Sequence, residues 1–366
     1  MTKVVWAAQE LTRAVDGMNW DAARVRSAVQ ELNTSKRDAG TAALDRALQV
    51  LLDRLTRWRP EDADGVAHVA ISAGSLVESG ASARALGEVL LAKVPEVLRG
   101  ARRYADRCLR ELPSLAADAL DDDTDALTMA DGRIIARDLF RAHLDEDQPG
   151  GHALVYLNEW VLPTVAALTR DRELLGRAIA DRELAALADA MADSDAYWLD
   201  VLLGVQQEQM WTVLCPLQGR GFRVMLDGIA DNYVLHLLLA DALMPLGIPA
   251  TANPADVVAY VCGEIDSCSR DHVDGSWNMY DYRAAGYDLT QPMAVPISVW
   301  ISSMGHPRDV PTFDGVRTLL VGPQEPVRMW NPHRTFEALP SSIRVVEELA
   351  PAQVKSLLAR AATAAP

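Results

Sequence analysis

The sequence has few of the features that place a protein at once in a functional class. Four cysteines in 366 residues are too few for a disulfide framework, and their apolar neighbours indicate free thiols in a reducing compartment. It also lacks the CxxC pairs and the HExxH motif of common zinc sites. Because no established cofactor motif is present either, we expect no cofactor.

Long apolar runs are missing as well. The most apolar stretch, 233–250, contains His236, Asp241 and two prolines, which argues against a transmembrane helix. The N-terminus reaches Glu10 and Arg13 before any apolar run long enough for a signal peptide. We therefore expect a soluble protein in the cytoplasm.

Positive charge is scarce. The chain has 35 basic and 51 acidic residues, a net charge of −16, and both halves are acidic. A protein that binds nucleic acid by neutralising phosphates needs a basic face, so DNA and RNA binding are disfavoured. Only four of the basic residues are lysine, a bias toward arginine that is typical of a GC-rich, bacterial genome.

Up to about residue 205 the apolar residues follow a helical period. Leucines from Leu44 to Leu55 form one stripe with Trp58, which predicts an amphipathic helix. Further helices are predicted at 67–78, from Ser82 with a kink or break at Pro95, and at 134–144, 153–168, 172–191 and 197–205. Residues 1–205 therefore predict an all-α domain, either a bundle or an irregular HEAT-like stack of helices.

After residue 206 the pattern changes. Short β-type runs at 211–215 and 222–227 flank Gly219-Arg220-Gly221 and predict a hairpin. Asp231 is expected to cap a helix to about 244, and a second helix is expected from 253 to about 268. The other predicted elements are strands at 295–302, 316–321 and 343–349 and a last helix that begins at Pro351. Residues 206–366 thus predict an α+β domain with a small mixed or antiparallel sheet.

The densest group of metal-ligand side chains includes Cys262, Cys268 and His272. On one continuous helix the two thiols would lie about 120° apart around the axis. They also belong to an apolar stripe with Val258, Val261 and Ile265, so they are interpreted as small core side chains. We expect no metal at this segment.

The arginines of segment 99–110 and His236 can each be interpreted either as structural or as functional residues. Five arginines between Arg99 and Arg110 lie along one side of a helix, and we favour a solvated or internally neutralised face over an anion site. His236 lies in a leucine-rich helix, and we favour a buried structural histidine paired with Asn232 or Asp231 over a catalytic one.

Aromatic residues between 277 and 330 alternate with Gly, Pro, Asp and Arg, which is typical of loops. These loops either build a pocket or only cover the sheet, and the polar residues 306–334 would supply a pocket's polar groups. The candidate ligand-binding residues are Arg220, Asp231, His236, Trp277, Tyr280, Tyr282, Asp309, Arg328 and His333.

The expected function is a cytoplasmic protein-interaction or ligand-binding protein, in which a helical scaffold carries an α+β recognition domain. A protein or peptide is the expected partner, and a small molecule is also compatible with the pattern. The alternative is an enzyme that acts on a small anionic metabolite or peptide in the C-terminal domain. There an arginine would hold the anionic group, and His236 or His333 would act as acid or base.

Overall fold

The computed structural model describes residues 2–16, 21–58, 63–111, 126–128, 134–136, 144 and 146–364. The chain forms two compact units, Met1–Leu203 and Gly204–Pro366. Helices dominate the first unit and a mixed sheet with helices forms the second, which confirms the predicted fold class. No helix in the described ranges is both long and apolar enough to span a bilayer.

The N-terminal unit is built from short amphipathic helices whose apolar faces are buried against one another. Several of them begin at an aspartate whose carboxylate accepts backbone N–H groups of the first turn, as at Asp21 and Asp171, which satisfies donors that a helix start leaves unpaired. The helices are α1 Lys3–Val15, α2 Ala22–Ser35, α3 Thr41–Thr56, α4 Ala63–Glu78, α5 Ala83–Glu111, α6 Gln148–Val155, α7 Leu157–Leu168, α8 Arg172–Ala180, α9 Arg182–Asp189 and α10 Tyr197–Leu203.

Three of the predicted helices differ in their boundaries. Helix α5 continues through Pro95, so of the predicted kink or break the break is absent. The predicted helix 153–168 is interrupted at Tyr156, and the predicted helix 172–191 is interrupted at Asp181. Asp181 Oδ1 accepts hydrogen bonds from the N–H groups of Glu183 and Leu184, so the chain starts a new helix where the sequence pattern alone suggested continuity.

The segment predicted as a helix at 134–144 begins instead as a strand. Here β1 Ala126–Thr128 pairs antiparallel with β2 Ile134–Ala136. Two consecutive β-branched isoleucines favour this extended conformation. The rest of the predicted helix lies outside the described residues except for residue 144.

Four of the five arginines in the predicted stripe on α5 form ion pairs within the chain. Arg103 binds Asp147 at 3.0 Å and Arg107 binds Glu146 at 3.3 Å. Arg99 and Arg102 likewise face Glu183 and Asp106. This face of α5 is therefore occupied by internal ion pairs.

The C-terminal unit is organised around a six-stranded mixed sheet. The strand order is β10–β4–β3–β8–β6, with β7 paired to β8. Strands β3 and β8 are parallel, and the other neighbours are antiparallel. The strands are β3 Gln209–Cys215, β4 Arg220–Asp227, β6 Trp277–Asp281, β7 Thr312–Phe313, β8 Val316–Pro323 and β10 Ser342–Glu348; β5 Val273–Asp274 and β9 Met329–Trp330 form a separate pair.

Apolar residues on both faces of the sheet are buried, since successive side chains of a strand point to opposite faces. Trp211 and Val213 belong to a core with helices α11 Asn232–Leu243 and α12 Ala255–Val261. Leu214 belongs to a second core with helix α13 Pro351–Ala364. The predicted hairpin 211–227, the helix after Asp231 and the helix from Pro351 are all present.

Three elements of this unit differ from the expectation. Helix α12 ends at Val261 and does not continue to 268, because Gly263 adopts a left-handed conformation with φ of +79° that a continuing helix excludes. Residues 295–302 form a 3₁₀ turn and one bridge to Tyr280 in place of a strand. The aromatic stretch from Trp277 to Asp281, predicted as a loop, is strand β6.

Gly228 follows β4 and leads the chain into α11. It has φ of +69°, and a Cβ there would lie 2.0 Å from the carbonyl oxygen of Pro340. Gly219 in the hairpin turn also has positive φ, +63°, but open space around it. A side chain at Gly219 would therefore meet only the conformational penalty of positive φ, whereas a side chain at Gly228 would also overlap with backbone atoms.

We predict that Gly219→Ala lowers the free energy of unfolding by about 1 kcal/mol, since a side chain disfavours positive φ. Gly228→Ala should cost more than about 3 kcal/mol, because backbone atoms must also move. Urea unfolding of both variants measures the difference, and equal losses would contradict the steric argument.

Candidate functional site

Eight of the nine sequence-predicted site residues lie at the start of α11, within it, on β6 or in the loops 282–335, but they do not form one site, since Trp277 and Tyr280 belong to different cores. The exception is Arg220, whose guanidinium binds Glu348 through contacts of 2.6 and 2.8 Å and also donates to the carbonyl of Leu246. Arg220 thus ties the hairpin turn to β10 and to the end of α11.

Asp231 and His333 form an ion pair, with 3.5 Å between Oδ2 and Nε2. Burial opposes ionisation of Asp231, but hydrogen bonds from His333, Thr335 and the N–H of Val234 keep the pKa of this carboxyl below its usual value. The hydrogen bond to Asp231 in turn raises the pKa of His333. Nδ1 of His333 lies 3.1 Å from the carbonyl oxygen of Asn331, so both ring nitrogens have polar contacts.

His236 is a buried, neutral histidine. Its Nε2 accepts hydrogen bonds from the N–H groups of Ser276 at 2.9 Å and Trp277 at 3.3 Å, so the predicted partners Asn232 and Asp231 were wrong. Since backbone N–H groups only donate, Nε2 is unprotonated and the proton of the neutral ring is on Nδ1. Burial, aided by the charge of Arg328, lowers the pKa of His236 to about 4. This ring fixes the start of β6.

Arg328 links β6 to the following loops. Its guanidinium lies 5.3 Å from the ring centre of Trp300, and Nη1 donates to the hydroxyl of Ser303 at 3.2 Å. Trp300 in turn meets Tyr280 edge-on, with 5.2 Å between ring centres. These contacts hold residues 300–303 against the outer edge of β6.

A cavity of about 420 Å³ opens where β6, α11 and the loop 298–311 meet. Two of the predicted site residues, Tyr282 and Asp309, line it. We call it the β6 cavity. Its lining is a mixture of polar and apolar residues and consists of Asn232, Asp281, Tyr282, Arg283, Ser298, Trp300, Ile301, Ser302, Gly305, His306, Asp309, Val310 and Pro311.

Asn232, the first residue of α11, anchors one wall of the β6 cavity. Its backbone N–H donates to the carbonyl of Gly305 at 3.1 Å, and Nδ2 donates to the carbonyl of Ser302 at 2.7 Å. Because a carbonyl oxygen only accepts, the amide orientation is fixed and Oδ1 points away from Ser302. Asn232 is only 1% exposed, and within the described part of the chain no donor contacts this Oδ1.

At the end of β6 the buried Asp281 forms a bidentate pair with the half-buried Arg283. Nη2 of Arg283 lies 2.5 Å from Oδ2, and Nε lies 3.1 Å from each carboxylate oxygen. The hydrogen bond to Asp281 raises the pKa of Arg283. Nη2 also donates to the carbonyl of Ser298 at 3.0 Å. The two opposite charges compensate each other inside the cavity wall.

His306 and Asp309 also line the cavity. Nδ1 of His306 lies 3.0 Å from the carbonyl oxygen of Ala230, so Nδ1 holds the proton and Nε2 of the neutral ring is an acceptor. Asp309 accepts from the N–H of His306 at 3.2 Å and lies 3.8 Å from Arg308. Its side chain is 63% exposed, so this carboxylate is accessible at the cavity mouth.

The loops beside the β6 cavity expose apolar side chains. Ile297 and Met304 are each 82% exposed, and they are next in the chain to the lining residues Ser298 and Gly305. Val327 and Met329, on either side of Arg328, are 75% and 62% exposed. The aromatic residues of this region, in contrast, mostly pack inward and support the sheet.

The candidate metal ligands lie on an irregular segment. The argument from a continuous helix was wrong, because α12 ends before Cys262. Both thiols nevertheless pack against the core that contains α12. Among the described residues, no three His, Cys, Asp or Glu side chains are placed to share a metal ion.

Sequence reasoning missed several lining residues. Asp281 and Arg283 were missed because β6 was taken for a loop; the Asp-x-Arg spacing at a strand end was the available signal. Asn232 was considered only as a partner of His236. Comparison with protein-family models, curated proteins and solved structures finds no match to this chain, so the geometry alone carries the functional argument.

We predict that His236 makes the protein acid-sensitive. In the unfolded chain this group takes up a proton below about pH 6.5, whereas in the fold it does so only near pH 4, so stability falls as the pH drops through this interval. At 1.36 kcal/mol per pKa unit, the free energy of unfolding falls by roughly 3 kcal/mol across this interval. Urea unfolding between pH 4 and 7 should show a weaker pH dependence in His236→Gln than in the parent protein. The control is His272→Gln, a substitution at an exposed position, which should not change the pH dependence of the unfolding free energy.

We predict a second, smaller pH effect from His333. Its raised pKa means that the Asp231–His333 pair stabilises the fold fully below about pH 6.5 and loses this contribution as the pH rises through the pKa of the folded state. The side chain is 41% exposed, so we expect less than about 1 kcal/mol. His333→Gln should remove the alkaline decline in unfolding free energy measured from pH 6 to 9. An unchanged decline would contradict this assignment.

Proposed function

We propose that the protein binds a small, neutral, polyhydroxylated molecule, such as a sugar or sugar alcohol, in the β6 cavity. The observation that carries the proposal is the mixed set of donors and acceptors that lines the cavity, namely the Arg283 guanidinium, the His306 ring and the exposed Asp309 carboxylate. Each hydroxyl group of a ligand can donate to such an acceptor and accept from such a donor.

The charges of the cavity support a neutral ligand. Asp281 is matched by Arg283, and Asp309 lies beside Arg308, so no unopposed charge demands a counter-ion. Acceptors and donors are both present, because Asp309 and Nε2 of His306 accept whereas guanidinium N–H groups donate. Hydroxyl groups both donate and accept, and therefore match such a mixed lining. The volume of about 420 Å³ is in the usual range for small-molecule sites.

The test is calorimetric titration of the full chain with a panel of monosaccharides, disaccharides and sugar alcohols. We predict saturable binding of at least one class, and a loss of affinity of about tenfold or more in Asp309→Ala and in the near-isosteric Asn232→Leu. Asp314→Ala is the matched control, since Asp314 pairs with Arg360 and does not line the cavity. Circular dichroism verifies that each variant is folded.

Two results would overturn the proposal: the absence of saturable binding across the panel, or binding that both cavity variants leave unchanged. A catalytic role is the second candidate, favoured by the presence of His306 and Asp309 in the lining of one cavity. Product formation in the same titrations, followed by NMR, would distinguish turnover from binding. The expectations of a protein or peptide partner and of a cytoplasmic location stay predictions.

A further inference from the structure

A second cavity, of about 530 Å³, lies on the N-terminal unit along α2. Val25 and Val29 supply its apolar surface, and His68 of α4 lines it from the neighbouring helix. His68 is held by an edge-on contact with Tyr156, with 5.9 Å between ring centres. We call this cavity the α2 groove. It belongs entirely to the helical unit and is unrelated to the proposed sugar site.

The polar wall of the α2 groove is formed by one face of α2 and by the turn that follows it. Arg26, Gln30 and Asn33 line the cavity from the helix, and their spacing of four and three residues places them in one row. Arg37 lines the same cavity from the turn after the helix end at Ser35. One guanidinium therefore lies toward each end of the groove.

Hydrogen bonds outside the groove fix which end of the Asn33 amide faces it. Nζ of Lys36 donates to the hydroxyl oxygen of Ser75, and this hydroxyl lies 3.3 Å from Oδ1 of Asn33. An ammonium group only donates, so the single proton of Ser75 is directed to Asn33. Oδ1 is thereby occupied, and the NH₂ group of Asn33 is the part available for a ligand.

The charges on this wall are uncompensated. Neither Arg26 nor Arg37 forms an ion pair with a carboxylate in the part of the chain that the structure describes, although the protein has a net charge of −16. The nearby Glu78 acts on Lys36. By contrast, most arginines of α5 on the same unit are paired with acidic residues.

We propose that the α2 groove binds an elongated organic dianion, a molecule with a carboxylate or phosphate at each end and an apolar middle. Each guanidinium binds one anionic end through charge-assisted hydrogen bonds. The Asn33 amide donates to one of these ends, and Val25 and Val29 contact the apolar middle. This site adds a second ligand class to the proposed function and does not depend on it.

Calorimetric titration of the full chain with three probes of equal chain length tests the site: decanedioate, decanoate and 1,10-decanediol. We expect one-site binding of decanedioate that weakens with added salt, weaker binding of decanoate, and no binding of the diol. Arg26→Gln and Arg37→Gln should each reduce decanedioate affinity about tenfold. Asn33→Asp should reduce it further, because it adds a carboxylate to the wall.

Arg24→Gln is the matched control, since Arg24 is exposed on the same helix but points about 160° away from Arg26. It should leave the affinity unchanged. The proposal is wrong if decanedioate does not bind, if the diol binds equally well, or if Arg24→Gln weakens binding as much as Arg26→Gln. All four substitutions are at exposed positions, and an unchanged melting temperature verifies folding.

Discussion

The hydrogen bonds at the N-terminus of α11 are the interaction on which the C-terminal unit depends. Asp231 accepts from the N–H of Val234, which starts the helix, and from Thr335 at 2.5 Å, which holds the chain beyond β9. Asn232 then fixes the turn at Ser302 and Gly305. Two adjacent polar side chains thus connect segments about 70 and 100 residues away in sequence.

This arrangement explains why polar groups line part of the β6 cavity although it adjoins an apolar core. The first turn of a helix needs acceptors for its N–H groups, and the loop that wraps it needs donors for its carbonyl groups. Asn232 supplies Ser302 with a donor and thereby turns its own Oδ1 away from the protein's donors. The same contacts that stabilise the loop therefore leave a buried acceptor without a donor among the described residues.

The two proposed sites use opposite electrostatic designs. In the β6 cavity Asp281 and Arg283 compensate each other within hydrogen-bond distance, so selectivity is expected to come from the direction of donors and acceptors. In the α2 groove the guanidinium groups are unpaired, and charge itself selects the ligand. In a strongly acidic protein such unpaired, exposed arginines attract anions that the rest of the surface repels.

Helical periodicity and capping residues in the sequence were enough to predict most of the N-terminal helices and the order of helices, hairpin and final helix in the C-terminal unit. These features depend on neighbours within a few residues. Helix boundaries such as those at Asp181 and Gly263 were harder to predict. An aspartate or glycine inside an apolar pattern is compatible both with a continuing helix and with a helix end.

The sequence by itself determined that the chain has a helical part followed by an α+β part, because a stripe at 3.6-residue spacing or an alternating run must bury its apolar side locally. Only the tertiary structure decided that Trp277 to Asp281 form a strand beside β8 and that His236 accepts from that strand. It also placed Asn232, Asp281 and His306 around one cavity. Such contacts join residues 25 to 75 positions apart, and no local pattern encodes which distant backbone group will supply a hydrogen bond.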